Sequence, residues 1–234
     1  SLADIDTLAE FIALEPQITA VGQITSGTNA PNQPIDVATE WPVVATSQDD
    51  VLQGEDTNDT LTATGVGNDT LLGEGGNDTL IGSNNDDVLF GGAGDDSIQT
   101  GDNTGFGDLV QTGQGNDTVD FTGLTSNNGF VTLDYSFLDG SPDTIGVNIN
   151  GATNTGTVTK GTQGTDTLIE VDNPMGAGWL SGGLSISGTS GNDVFTVSPD
   201  GQQWIAIIGQ RGYDTFSVSG AGLVRFDYRS SSSG

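Results

Sequence analysis

GEGGNDTLIGSNNDDVLFGGAGDDSIQ (73–99) decides the fold: three nine-residue units in a row, each a Gly/Asn-rich loop that ends in Asp and runs into a short apolar-centred stretch. In every unit an apolar residue follows the loop aspartate by two positions: Asp78 with Leu80, Asp87 with Leu89, Asp96 with Ile98. The pairing extends outward as Asp50 with Leu52, Asp59 with Leu61, Asp69 with Leu71, Asp108 with Val110 and Asp117 with Val119, at spacings of 9, 10, 9, 9, 9, 12 and 9 residues. Asp143, Asp166, Asp193 and Asp214 keep the same local form with Ile145, Leu168, Phe195 and Phe216. Self-similarity at so short a period reads as stacked repeats.

The loop residues tolerate positive φ, and side chains of a strand alternate faces, so one apolar residue per unit points inward. A single Leu, Ile or Val cannot stabilise an isolated unit, so units stack, with two short strands per coil in two facing parallel sheets. The expected fold is therefore all-β. A parallel β-roll (β-solenoid) of nonapeptide repeats spans 48–120, and an irregular β-roll continuation spans 121–234, where the bulkier Phe195 and Phe216 imply a wider roll. Residues 1–47 form an N-terminal helix and capping segment. The helix is read over 2–14 from the helical spacing of Leu2, Ile5, Leu8, Phe11 and Ile12, and the extended stretch after it from Pro16, Pro31, Pro34 and Pro42.

Composition narrows the chemistry. The chain has 32 acidic residues against 4 basic ones, Lys160, Arg211, Arg225 and Arg229, for a formal charge of −28. Such a chain repels nucleic acid and anionic membranes and attracts cations. It has no Cys and no His, which excludes disulfides, thiolate and imidazole metal sites, and the commonest general base, and leaves hard, oxygen-ligated metals. No window is apolar enough for a transmembrane helix, and the acidic start SLADIDTLAE is no signal peptide; with Ser1 first and SSSSG last, the expectation is a processed product or a fragment. No catalytic triad, zinc motif or P-loop is present, so an enzyme is not expected.

GGAGDDSIQ (91–99) fits the nonapeptide Gly-Gly-x-Gly-x-Asp-x-apolar-x at every defined place, and GEGGNDTLI (73–81) departs from it only at Glu74. The chain thus resembles the repeats-in-toxin (RTX, hemolysin-type) calcium-binding repeat proteins, most strongly over 48–120. GSNNDDVLF (82–90) carries Ser83 and Asn85 in place of glycine, and GEDTNDTLT (54–62) carries Glu55 and Thr57. Thr57 suits a left-handed conformation poorly and marks its loop as the weakest candidate site.

With two repeats per coil, Asp59, Asp78 and Asp96 stack on one edge and Asp50, Asp69 and Asp87 on the other, while Asp108 and Asp117 extend the set. Unit charges about 4 Å apart repel by roughly 1 kcal/mol in water and about 4 kcal/mol near a protein surface, so the columns call for a counter-ion. Several Ca2+ ions suit them, since calcium takes carboxylate and carbonyl oxygens in flexible geometry. The resemblance implies where each ion sits: between successive coils, on the sixth-place Asp and the carbonyls of the first, third and fifth places. Carried over, those donors are Gly73, Gly75 and Asn77; Gly82, Asn84 and Asp86; and Gly91, Ala93 and Asp95. At the pair Asp95 and Asp96, the second is then the carboxylate ligand.

If the native stack binds ions that the unfolded chain does not, metal binding supplies folding free energy, so a calcium-poor cytosol holds the chain unfolded and a calcium-rich exterior folds it. The resemblance associates this with export. The functional expectation is a secreted, extracellular calcium-binding structural protein of the cell surface (surface layer, filament or adhesin subunit), self-assembling as a homo-oligomer or polymer, with cell-surface polysaccharide as a further partner class. The alternative is the calcium-binding, secretion-associated module of a larger exported enzyme.

Overall fold

The computed structural model describes residues 35–36, 43–102, 107–124, 130–138, 144–171, 183–200 and 204–227. The expected helix over 2–14, most of the extended stretch after it, and Asp143 lie outside the described residues. The strands in chain order are β1 (Ile35–Asp36), β2 (Val43–Val44), β3 (Val51–Gln53), β4 (Thr60–Thr62), β5 (Thr70–Leu72), β6 (Thr79–Ile81), β7 (Val88–Ala93), β8 (Ser97–Gln99), β9 (Asp108–Gln114) and β10 (Thr118–Asp120). There follow β11 (Phe130–Asp134), β12 (Gly146–Asn150), β13 (Thr155–Thr159), β14 (Thr165–Ile169), β15 (Gly183–Ser187), β16 (Val194–Ser198), β17 (Trp204–Ile208), β18 (Thr215–Val218) and β19 (Leu223–Asp227).

They form two sheets. One runs β1-β3-β5-β7-β9-β11-β15-β17-β19, and the other β18-β16-β12-β13-β14-β10-β8-β6-β4-β2. Consecutive strands alternate between the sheets as far as β11, as a two-strand coil requires, and neighbours within each sheet pair in parallel. This is the parallel β-roll expected from the repeat.

Register follows the repeat. In the first sheet Leu52, Leu71, Leu89, Val110, Leu133, Ile186, Ile207 and Phe226 are successive Cα partners. In the second, Leu61, Leu80, Ile98, Val119 and Leu168 are aligned in the same way. All of these except Phe226 are buried and make up the core between the sheets. Their strand neighbours Leu72, Ile81 and Phe90 point outward and are half-exposed, with Leu72 paired to Phe90.

The continuation beyond 120 holds one change of direction. β12, β13 and β14 form an antiparallel meander that fills three places in the second sheet between β10 and β16, where the coil pattern would put one parallel strand. The turn from β12 to β13 is closed by Asn150, whose side chain accepts from the Ala152 N–H, and by left-handed Asn154. Gly156 takes the inward place between Leu168 and Ile149; a Cβ there would lie 2.6 Å from Ile149 Cδ1. Beyond the meander the roll resumes with aromatic filling: Phe195 stacks on Phe216 at 5.2 Å, and Phe216 meets Phe226 edge-on at 4.6 Å.

Candidate metal centre

The loops joining the two sheets place the sixth-place aspartates in columns, and backbone amides tie each column together. The N–H of Asp59 donates to Asp78 Oδ1, that of Asp78 to Asp96 Oδ1, that of Asp96 to Asp117 Oδ1 and that of Asp117 to Asp166 Oδ1, at 2.8, 2.8, 2.9 and 3.2 Å. On the other edge Asp50 donates to Asp69, Asp69 to Asp87, and Asp87 to Asp108, at 2.9, 2.8 and 2.9 Å. One oxygen of each accepting carboxylate is thus committed to the preceding coil. That softens the charge repulsion anticipated for bare columns, because each carboxylate faces an amide dipole as well as its neighbours.

A second ladder runs in the opposite sense through the fifth place. Asn77 N–H donates to Asn58 Oδ1, Asp95 N–H to Asn77 Oδ1, and Asn116 N–H to Asp95 Oδ1, at 2.7, 3.0 and 2.8 Å. Asp95 is therefore a rung between coils through its side chain, and Asp86 serves likewise for the Gly107 N–H at 2.9 Å. The adjacency of Asp95 and Asp96 reflects two ladders meeting in one loop.

The remaining oxygen, Oδ2, divides the loops into two kinds. Where the second place holds Thr46, Glu55, Ser83 or Thr189, its backbone N–H donates to the Oδ2 of Asp50, Asp59, Asp87 or Asp193, at 2.7, 2.9, 2.5 and 2.8 Å. Where that place has positive φ, at Gly65 (91°), Glu74 (71°), Gly92 (109°) and Gly113 (94°), the backbone turns away and supplies no such bond. Asp69, Asp78 and Asp96 then each hold an Oδ2 that is buried and has no hydrogen-bond partner. A buried carboxylate oxygen without a partner is costly, so it calls for a cation.

The surroundings of these oxygens fit calcium. A Cβ built on Gly73 would sit 2.5 Å from Asp78 Oδ2 and collide with the Gly91 carbonyl of the next coil; one on Gly91 would sit 2.5 Å from Asp96 Oδ2 and collide with the Thr112 carbonyl. Carboxylate and carbonyl oxygens from two coils thus converge on a space that only glycine leaves open, an all-oxygen cradle suited to a hard cation. No three acidic side chains gather among the described residues, so an ion held here would draw its further donors from backbone carbonyls such as those of Gly91 and Thr112. Of the carbonyls that the resemblance nominates, Gly91 faces this space, Gly73 faces the corresponding one beside Gly54 and Asp59, and Ala93 already accepts from the Gly76 N–H at 2.9 Å. Gly82, Asn84 and Asp86 belong to the loop that the Ser83 N–H closes.

Burial also sets the proton affinity. It pushes Asp69 and Asp96 up to about 7 and Asp78 to about 6 from 3.8, against the lowering effect of the amide bonds, and neighbouring carboxylates add to the rise. Asp87, Asp193 and Asp214 are raised by burial too, the first two despite their capping N–H groups.

A family model described as the RTX calcium-binding nonapeptide repeat (4 copies) matches residues 43–65 and 64–98. Residues 43–98 are RTX calcium-binding repeats. The repeats of this family bind Ca2+, and the buried aspartates of the roll fit several ions. No curated protein and no solved structure matches the chain. No helix among the described residues is long and apolar enough to cross a membrane.

The RTX pattern continues past the matched stretch in geometry that the sequence did not assign. Asp193 N–H donates to Asp214 Oδ1 at 3.0 Å, and the 209–214 loop has left-handed Gln210 and Gly212, with Asp214 Oδ2 against Gly209. Sequence reading noted the local form of Asp193 and Asp214 but gave them no role. It also missed Lys160, which stands buried between Asp117 and Asp166. The usable signal was its rarity, one lysine in a chain with 32 acids.

Proposed function

We propose that this RTX protein is a secreted structural component of the cell surface, a surface-layer, filament or adhesin subunit, folded by calcium and assembled through the ends of its roll. The observation that carries the reading is the coil of β18 and β19. Its inward residues Phe216, Val224 and Phe226 remain only partly buried, and Val218 and Leu223 are 46% and 52% exposed. Among the described residues β18 and β19 end their sheets, and a sheet edge over a continuing apolar core favours pairing with another roll. The lack of His and Cys, together with loops committed to ladders and ions, supports a scaffold rather than a catalyst.

Electron microscopy of the full chain with millimolar calcium and with chelator tests this. Ordered polymers that dissolve in chelator are expected, and dispersed monomers in both conditions contradict it. A reading frame that continues into a catalytic domain would replace this function with that of a calcium-binding module of an exported enzyme.

A further inference from the structure

The loop 112–117 has the open backbone of the loops at Asp78 and Asp96, with Gly113 at φ 94° and Gly115 at φ 125°, yet its carboxylate is satisfied. The Lys160 ammonium lies 2.7 Å from Asp117 Oδ2, the oxygen that has no partner in Asp78 and Asp96. It lies 2.5 Å from Asp166 Oδ1, 2.7 Å from the Gly113 carbonyl and 3.4 Å from Thr112 Oγ1. Lys160 and Asp166 are fully buried and Asp117 is 1% exposed. Two carboxylates, a carbonyl and a hydroxyl from successive coils therefore surround one positive charge.

The other described basic side chains, Arg211 and Arg225, lie outside the core, whereas the β13–β14 connection carries Lys160 directly beneath the ladder. The shell around it is also fixed. Asp166 Oδ2 accepts from Thr112 Oγ1 at 2.7 Å and from the Tyr135 hydroxyl at 2.9 Å, and the Gly115 N–H donates to the Gln163 carbonyl at 2.7 Å.

We propose that the Lys160 ammonium is a built-in cation that takes the metal's place in the 112–117 loop, closing that site to calcium and making this coil independent of it. The lysine is covalently part of the coil it neutralises, so its charge stays when calcium is withdrawn. The proposal is independent of any cell-surface role and rests only on calcium binding by the neighbouring open loops.

Two measurements test it on the full chain. Equilibrium dialysis with radioactive calcium compares the native protein with Lys160→Ala, in which the shortened side chain frees the two carboxylates; one additional ion per chain is expected. A Lys160→Ala protein that folds in calcium and binds the native number of ions overturns the proposal. Hydrogen exchange of the native protein in chelator covers the case in which the variant does not fold. Amides of 113–118 and 165–169 should remain protected while those of 74–79 and 92–97 exchange; joint loss of protection overturns it. Failure of calcium binding itself would show as no ion bound to the native chain, a result distinct from both.

Discussion

Asp78 and Asp59 occupy the same column one coil apart, yet Asp59 Oδ2 receives the Glu55 N–H at 2.9 Å while Asp78 Oδ2 receives none. The difference lies at the second place of the loop, where Glu74 adopts φ 71° and Glu55 does not enter that region. An aspartate's need for a metal is thus set by the backbone four residues before it. Asp96→Asn keeps the ladder acceptor but removes the charge. Loss of an attraction of about 4 kcal/mol at short range near a surface lowers calcium affinity in that loop by at least about tenfold. Asp59→Asn, already capped, should change calcium binding by less than about threefold, under 1 kcal/mol. Calorimetric titration of both variants checks the contrast; equal losses would contradict it. Gly91→Ala should match Asp96→Asn, because its Cβ enters the space beside Asp96 Oδ2 and the Thr112 carbonyl.

At the scale of strands and loops, the columns act together. A buried Leu contributes about 1.5–3 kcal/mol, while fixing each of a unit's residues costs about 1–2 kcal/mol, so a coil with an open loop does not stand without a cation, which is an ion at Asp78 and Asp96 and Lys160 at Asp117. The raised proton affinities of Asp69, Asp78 and Asp96 give the metal-free stack a pH dependence. Between about pH 4 and 7 the folded chain holds protons that the unfolded chain has released, so metal-free stability falls as pH rises through that window. In chelator, the strand signal in circular dichroism should be greater at pH 5 than at pH 8. Calcium binds the deprotonated form, so its affinity should climb through the same window and level off above it; the opposite slope would contradict the assignment. Within the meander, Gly156→Val drives a side chain into Ile149 and Leu168, and overpacking of about 1–3 kcal/mol should lower the melting temperature measured with calcium.

The roll as a whole was largely legible because spacing alone encodes it: aspartates 18 or 19 residues apart must stack, and the alternation around Leu61, Leu80 and Ile98 fixes which face is buried. The antiparallel turn at β12–β14 was not, since a strand such as GVNIN alternates in the same way whichever direction it runs. Nor was the closure of the 82–87 loop, where Ser83 looked like a missing glycine and instead supplies the capping N–H. The ladders explain the side chain of Asp95, of which the resemblance implied only a carbonyl donor. Lys160 stood out only by its rarity, and its pairing was not legible because Asp117 and Asp166 are distant from each other in sequence and only the meander brings them together.

The central claim, that the open loops of the roll need calcium to stay folded, is tested most directly by titrating the full chain with calcium at pH 7.5, from chelator into the millimolar range, while following far-ultraviolet circular dichroism. A cooperative gain of β signal with calcium, reversed by chelator, is predicted. The same β signal at every calcium concentration would contradict the account.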